Sequence, residues 1–137
     1  MKNAKLLDSY AILAWLQNEP GADKISELLE KAKEGKLKLY MSWINIGEVY
    51  YQIIRRKGKQ VAEETLMELK ILPITFISVT DELVKKAAEL KAKYPIAFAD
   101  CFAIATAFMK DATLVTGDPE FEKTSGEVKV EWIEKKE

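Results

Sequence analysis

Hydrophobic positions along the chain switch repeatedly between two periods. Residues 4–7 (Ala-Lys-Leu-Leu) read as a short strand running into Asp8. Over residues 9–17, Ile12, Leu13 and Leu16 fall at helical spacing, and Glu19-Pro20-Gly21 ends that helix. Residues 22–34 predict a second helix with Ile25, Leu28, Leu29 and Ala32 on one face; Gly35 supplies its stop. Leu37, Leu39 and Met41 alternate as a strand over residues 36–41. Ser42 then caps a third helix that runs to Lys57 and stops at Gly58. Residues 60–70 are amphipathic, and residues 74–79 are rich in β-branched side chains, as strands are. Thr80 caps a helix over 81–93, in which Asp81 with Lys85 and Glu82 with Lys86 are ordinary i,i+4 pairs. Tyr94-Pro95 separates it from residues 98–109, an almost wholly apolar helix. Residues 112–115 read as a buried strand, 116–119 as a turn and 128–133 as an alternating final strand.

Short apolar strands alternating with helices predict one α/β domain over residues 1–137, with a largely parallel sheet and helices on both faces. Such sheets bind ligands at the carboxyl ends of their strands. Asp8 and Asp118 fall at two of those ends. No apolar run approaches the roughly 18 residues of a membrane helix, so no membrane association is expected. The early lysines and following apolar stretch have a signal peptide's outline. Asp8 interrupts it and no small-residue cleavage site follows, so a mature domain is the expectation.

Composition narrows the chemistry. The chain has no histidine, which excludes Ser-His-Asp and Cys-His catalysis and any His-ligated zinc. Its one cysteine, Cys101, forbids an intrachain disulfide, a zinc ribbon or an iron–sulfur cluster, and points to a reducing compartment such as the cytoplasm. With 21 basic and 22 acidic residues the net charge is −1, so neither a basic nor an acidic partner is announced. Chemistry, if any, falls to carboxylates, alone or with a hard cation.

Most acids have a lysine three or four positions away on a polar helix face. Four do not. Asp100 is the only charge between Lys93 and Lys110, and Glu48 the only one between Met41 and Gln52. Asp8 follows Leu6-Leu7 and precedes an apolar helix, and Asp118 follows Leu114-Val115-Thr116-Gly117. Each has an ordinary reading. Asp8 suits a helix cap, Asp118 a turn, Glu48 a solvated helix face and Asp100 a structural contact. Yet an unpaired carboxylate in apolar surroundings costs several kcal/mol or shifts its pKa upward. Four on four segments can compensate one another by sharing a cation, and clustered oxygens select Mg²⁺ or Mn²⁺.

In order along the chain, these segments are Leu6-Leu7-Asp8-Ser9, Ile46-Gly47-Glu48-Val49-Tyr50-Tyr51, Ala99-Asp100-Cys101-Phe102-Ala103-Ile104-Ala105-Thr106-Ala107 and Leu114-Val115-Thr116-Gly117-Asp118-Pro119-Glu120-Phe121. The pattern resembles the PIN-domain ribonucleases, specifically the VapC-type toxins of toxin–antitoxin pairs, across nearly the whole chain. Ser9-Tyr10 stands where the family commonly has Thr-Asn, and Cys101 replaces another small or apolar residue; neither departure removes a carboxylate.

The resemblance implies a three-layer α/β/α fold and a metal-dependent endoribonuclease. Asp8, Glu48, Asp100 and Asp118 would hold one or two Mg²⁺ or Mn²⁺ ions, directly or through water, and Ser9 and Thr116 would support those ligands. It also implies an RNA substrate, a small antitoxin partner, a homodimer, and products bearing a 5′-phosphate and a 3′-hydroxyl. Arg55, Arg56 and Lys57, the densest basic run, are candidates to grip RNA phosphates, and equally suit a solvated helix C-terminus. Competing readings are a PIN nuclease in RNA processing, an acidic-pocket receiver or phosphatase, and a catalytically silent PIN-like binding module. The phosphatase wants a second aspartate where Tyr10 stands, and the receiver wants an acid where Leu7 precedes Asp8.

Overall fold

The computed structural model describes residues 3–134. Five strands form one sheet: β1 (Ala4–Leu7), β2 (Lys38–Ser42), β3 (Thr75–Ile77), β4 (Thr113–Thr116) and β5 (Val130–Trp132). Their spatial order is β3-β2-β1-β4-β5, and every pairing is parallel. The connections carry α1 (Ser9–Leu16), α2 (Ala22–Lys33), α3 (Trp43–Lys57), α4 (Lys59–Ile71), α5 (Asp81–Lys93) and α6 (Phe98–Met109).

Period two in the strands divides the core. In β1, Leu7 packs into one hydrophobic cluster with residues of α1 to α4, while Leu6 packs into the other with α5 and α6. β4 repeats the division in register, since Leu6 pairs with Leu114 and Leu7 with Val115, and each pair shares a face. Both faces are therefore covered, which is why Leu6-Leu7 in β1 and Leu114-Val115 in β4 read as apolar runs rather than as alternations. The same geometry accounts for the apolar sequence of α6. Its residues from Cys101 to Ala107 are all buried, so it has no broad solvent face to make polar.

The differences from the expected elements are local. β3 and β5 are three-residue edge strands, shorter than their apolar sequence signals. The amphipathic segment after the third helix starts at Lys59, so a single residue joins α3 to α4. That joint, Gly58, has φ +92, a conformation open to glycine at little cost. The segment after Asp118 winds into a 3₁₀ turn, Pro119–Thr124. Parallel strands all point their carboxyl ends one way, so Asp8 after β1, α3 after Ser42 at the end of β2, and Asp118 after β4 meet at one edge.

Candidate active site

Asp8 is the N-cap of α1. One carboxylate oxygen accepts from the Ala11 N–H at 2.8 Å and the other from the Thr116 hydroxyl at 2.5 Å. Thr116 Oγ1 in turn accepts from the Asp118 N–H at 3.0 Å, so one hydroxyl ties the end of β1 to the turn after β4. Asp118 caps its own 3₁₀ turn, accepting from the Glu120 N–H at 2.9 Å. The capping readings of Asp8 and Asp118 are thus correct, and compatible with a place in the cluster: a cap engages one oxygen and fixes where the other points.

Glu48 lies on the turn of α3 that faces α1 and α6. Its Oε1 accepts from Ser9 Oγ at 2.8 Å and from Asn45 Nδ2 at 3.1 Å. Asn45 is fully buried, and Nδ2 also donates to the carbonyl of Ala99, the residue before Asp100, at 3.3 Å. It therefore ties the two acid-bearing helices together. Asn45 Oδ1 is buried without a partner among the described residues, an arrangement that costs free energy. Asp100, half-buried in the first turn of α6, completes the group.

The acids repel one another. Burial pushes the Asp8 carboxyl up to about 7, against the hydrogen bonds from Thr116 and Ala11, and the charges of Asp100 and Asp118 add to the rise. Asp100 is also pushed up to about 7, first by burial and then by the charges of Asp118, Glu48 and Glu120. None of the ion pairs among the described residues involves Asp8, Glu48, Asp100 or Asp118.

A cleft of about 470 Å³ opens at this edge. Glu48, Asp100, Asp118 and Ser9 line it, with Glu120 beside them, while Asp8 lies beneath, only 2% exposed. Tyr10, Gln17, Gln52 and Arg56 complete its lining, Gln52 and Arg56 from the same helix as Glu48. The Gln17 amide, oriented by its neighbours, accepts from Arg56 Nη1 at 2.6 Å and donates to Glu19. The run Arg55-Arg56-Lys57 is split by the helix. Only Arg56 lines the cleft; Arg55 lies over the Tyr51 ring at 5.0 Å, and Lys57 borders a smaller cavity between α1, α3 and α4.

The donors are all oxygens, anionic and mutually repelling, which suits a hard divalent cation. Among the described residues no three acidic side chains close into a ready coordination sphere, so the fit is one of donor chemistry and convergence. Asn45, Tyr10, Gln17, Gln52 and Glu120 were not singled out by the sequence. Asn45 carried a signal, being a polar residue three positions before Glu48 among Ile44, Ile46 and Val49. Tyr10 stood out only as a departure from the family's Thr-Asn pair; Gln17, Gln52 and Glu120 carried no signal, because they sit where any surface polar residue would.

Among solved structures the chain is similar to DNA-bound VapBC from Salmonella typhimurium, with TM-score 0.74 and 14% identity over 97% of this chain and 99% of that one. It is similar to VapBC2 from Rickettsia felis bound to a promoter fragment, at 0.72 and 18%, covering 94% and 98%. It is similar also to VapC20 from Mycobacterium tuberculosis, a toxin that cleaves the sarcin–ricin loop, at 0.67 and 16%, covering 88% and 94%. At such identities the likeness is one of fold. No curated protein sequence matches the chain. The sequence model of the PIN domain matches residues 5–127, a span that begins in β1, ends beyond the 3₁₀ turn and takes in all four converging acids. The chain belongs to the PIN-domain family.

Proposed function

We propose that the protein is an endoribonuclease that hydrolyses RNA phosphodiesters with Mg²⁺ or Mn²⁺, and that it is the toxin of a toxin–antitoxin pair acting in the cytoplasm. One observation carries the reading. Carboxylates from α3, α6 and the turn after β4 converge on one cleft above buried Asp8, their charges reinforcing one another. Membership of the PIN family supports nuclease chemistry. The VapBC neighbours are toxin–antitoxin assemblies and support a small protein partner, and pairing with a second copy belongs to the same proposal.

Asp8, Glu48, Asp100 and Asp118 are the residues that would hold the ion, directly or through water. When bound, the ion supplies an acidified water and offsets charge on the phosphate. The rest is the work of the chain. Ser9 and Asn45 both donate to one Glu48 oxygen, so the other is left to a ligand in the cleft that Glu48 lines. Thr116 holds Asp8 and, through its own oxygen, the backbone of Asp118. Arg56, two turns beyond Glu48 on α3, offers a cation to a substrate phosphate.

The burial of Asp8, with both oxygens engaged, argues against a receiver-type phosphoryl acceptor, which must meet its donor. In a cleavage assay on single-stranded RNA with Mg²⁺ or Mn²⁺, Asp8→Asn and Asp100→Asn are expected to lose at least about a hundredfold in rate. Circular dichroism should report an intact fold. Wild-type rates in both folded variants refute the assignment.

A further inference from the structure

Gly117 has no conformational reason to be glycine, since its φ lies outside the left-handed region. Its reason is crowding, chiefly by one neighbour. A Cβ at this position would stand 2.4 Å from Tyr10 Cε1 and 3.0 Å from Tyr10 Cδ1, closer than van der Waals contact allows, and 3.1 Å from Ile133 Cγ1. The missing side chain lets the ring lie against the main chain of the turn that carries Asp118. The ring is thereby fixed beside the acids instead of swinging in solvent. It is also available: Tyr10 is 41% exposed, lines the cleft, and its hydroxyl has no hydrogen-bond partner among the described residues. Leu13 and Ala97 give the cleft further apolar surface near it.

We propose that Tyr10 is a substrate-positioning residue, the platform on which an unpaired nucleobase of the RNA stacks beside the carboxylates, with Gly117 as the clearance that holds it there. The inference rests on the nuclease reading and specifies the substrate: a nucleic acid whose base is free of its own stack at the cleft. Every base has a π-face, so such a platform binds without demanding one sequence. Ring stacking also needs no charge beside an anionic cluster.

The test is steady-state cleavage of a labelled single-stranded RNA of mixed sequence, and of its fully paired duplex, in Mn²⁺. For Tyr10→Ala, KM on the single strand should rise at least about fivefold, the lower end of what one lost base–aromatic stack costs, with kcat changed by less than about twofold. Tyr10→Phe, which keeps the ring, should restore the wild-type KM. Gly117→Ala should raise KM when Tyr10 is present and raise it much less in Tyr10→Ala, where only the 3.1 Å approach to Ile133 remains, the non-additivity of two residues acting through one contact. The rise in melting temperature on adding Mn²⁺ should be the same in Tyr10→Ala as in wild type, which separates this role from damage to the acid cluster. The wild type should prefer the single strand to the duplex.

Wild type that cleaves RNA while Tyr10→Ala keeps its KM overturns the platform and leaves the nuclease reading standing. Equal effects of Gly117→Ala in the two backgrounds overturn the coupling of the two residues, and the platform with it. Wild type that cleaves no RNA overturns both readings.

Discussion

Asn45 shows how far a single side chain can be from ordinary packing. A buried amide with one oxygen unpaired is a cost that an apolar residue would remove, yet its nitrogen bridges Glu48 to the main chain at Ala99. In Asn45→Ala, Glu48 keeps Ser9 but loses its second donor and the tie to α6. Outer hydrogen-bond partners of metal ligands typically contribute ten- to hundredfold to metal affinity. A loss of that size is expected here, measured as the shift of a Mn²⁺ titration followed by melting temperature. An unchanged titration would reduce Asn45 to a packing residue. Asp8 invites a second substitution at this scale. In Asp8→Asn the amide oxygen can still accept from the Ala11 N–H, while the buried carboxyl, pushed up to about 7, no longer has to ionise. Without divalent ions at pH 8 the variant should melt several degrees above wild type. A lower melting temperature would mean that the bond from Thr116 outweighs the cost of the buried charge.

Elements were the most legible scale, and α6 shows why. Its lack of a polar face stated that its middle is buried, as Cys101 to Ala107 are, and that left Asp100 as the one charged residue with no place in a core. β1 and β4 were legible because the hydrophobic pattern of a doubly covered strand is continuous. Edge strands were less so. β3 and β5 form three pairs each with one neighbour, and their ends are set by where that neighbour stops, which no local pattern encodes. The joint at Gly58 was read as a stop, correctly, but the sequence around it did not say that α4 follows at once. Gly58 lies at φ +92 with open space around the missing Cβ. Gly58→Ala should therefore cost about 1–3 kcal/mol through backbone strain alone, with no cavity or clash. Chemical denaturation checks it, and a cost above about 3 kcal/mol would show that α3 and α4 shift as a unit. Cleft-wall residues such as Gln52 and Arg56 stayed invisible at this scale. Their meaning depends on which helix lies opposite, a tertiary fact.

Across the whole molecule the acid cluster links folding to protons and, on the proposed function, to metal. Asp8 and Asp100 both have carboxyls raised to about 7, whereas an unfolded aspartate ionises near 3.9. Between those values the native protein holds protons that the unfolded chain has released. Raising the pH therefore favours unfolding: the stability contributed by the protonated carboxyls is complete below about pH 4 and is lost as pH rises through 7. A divalent ion held as proposed would reverse the argument, because it would bind the ionised acids and displace their protons. Melting temperature in a chelator is thus expected to fall from pH 5 to pH 8. The increment from millimolar Mg²⁺ or Mn²⁺ is expected to grow over the same interval, as ligand binding to the native state alone requires. An ion bound at surface carboxylates with ordinary pKa values would give an increment nearly flat above pH 5.5. Melting curves at pH 5.5 and 8, with and without the ion, decide between the two. Asp100→Asn should lower the slope in the chelator and most of the ion's increment together, since both effects have one origin in charges that the fold brings to one place.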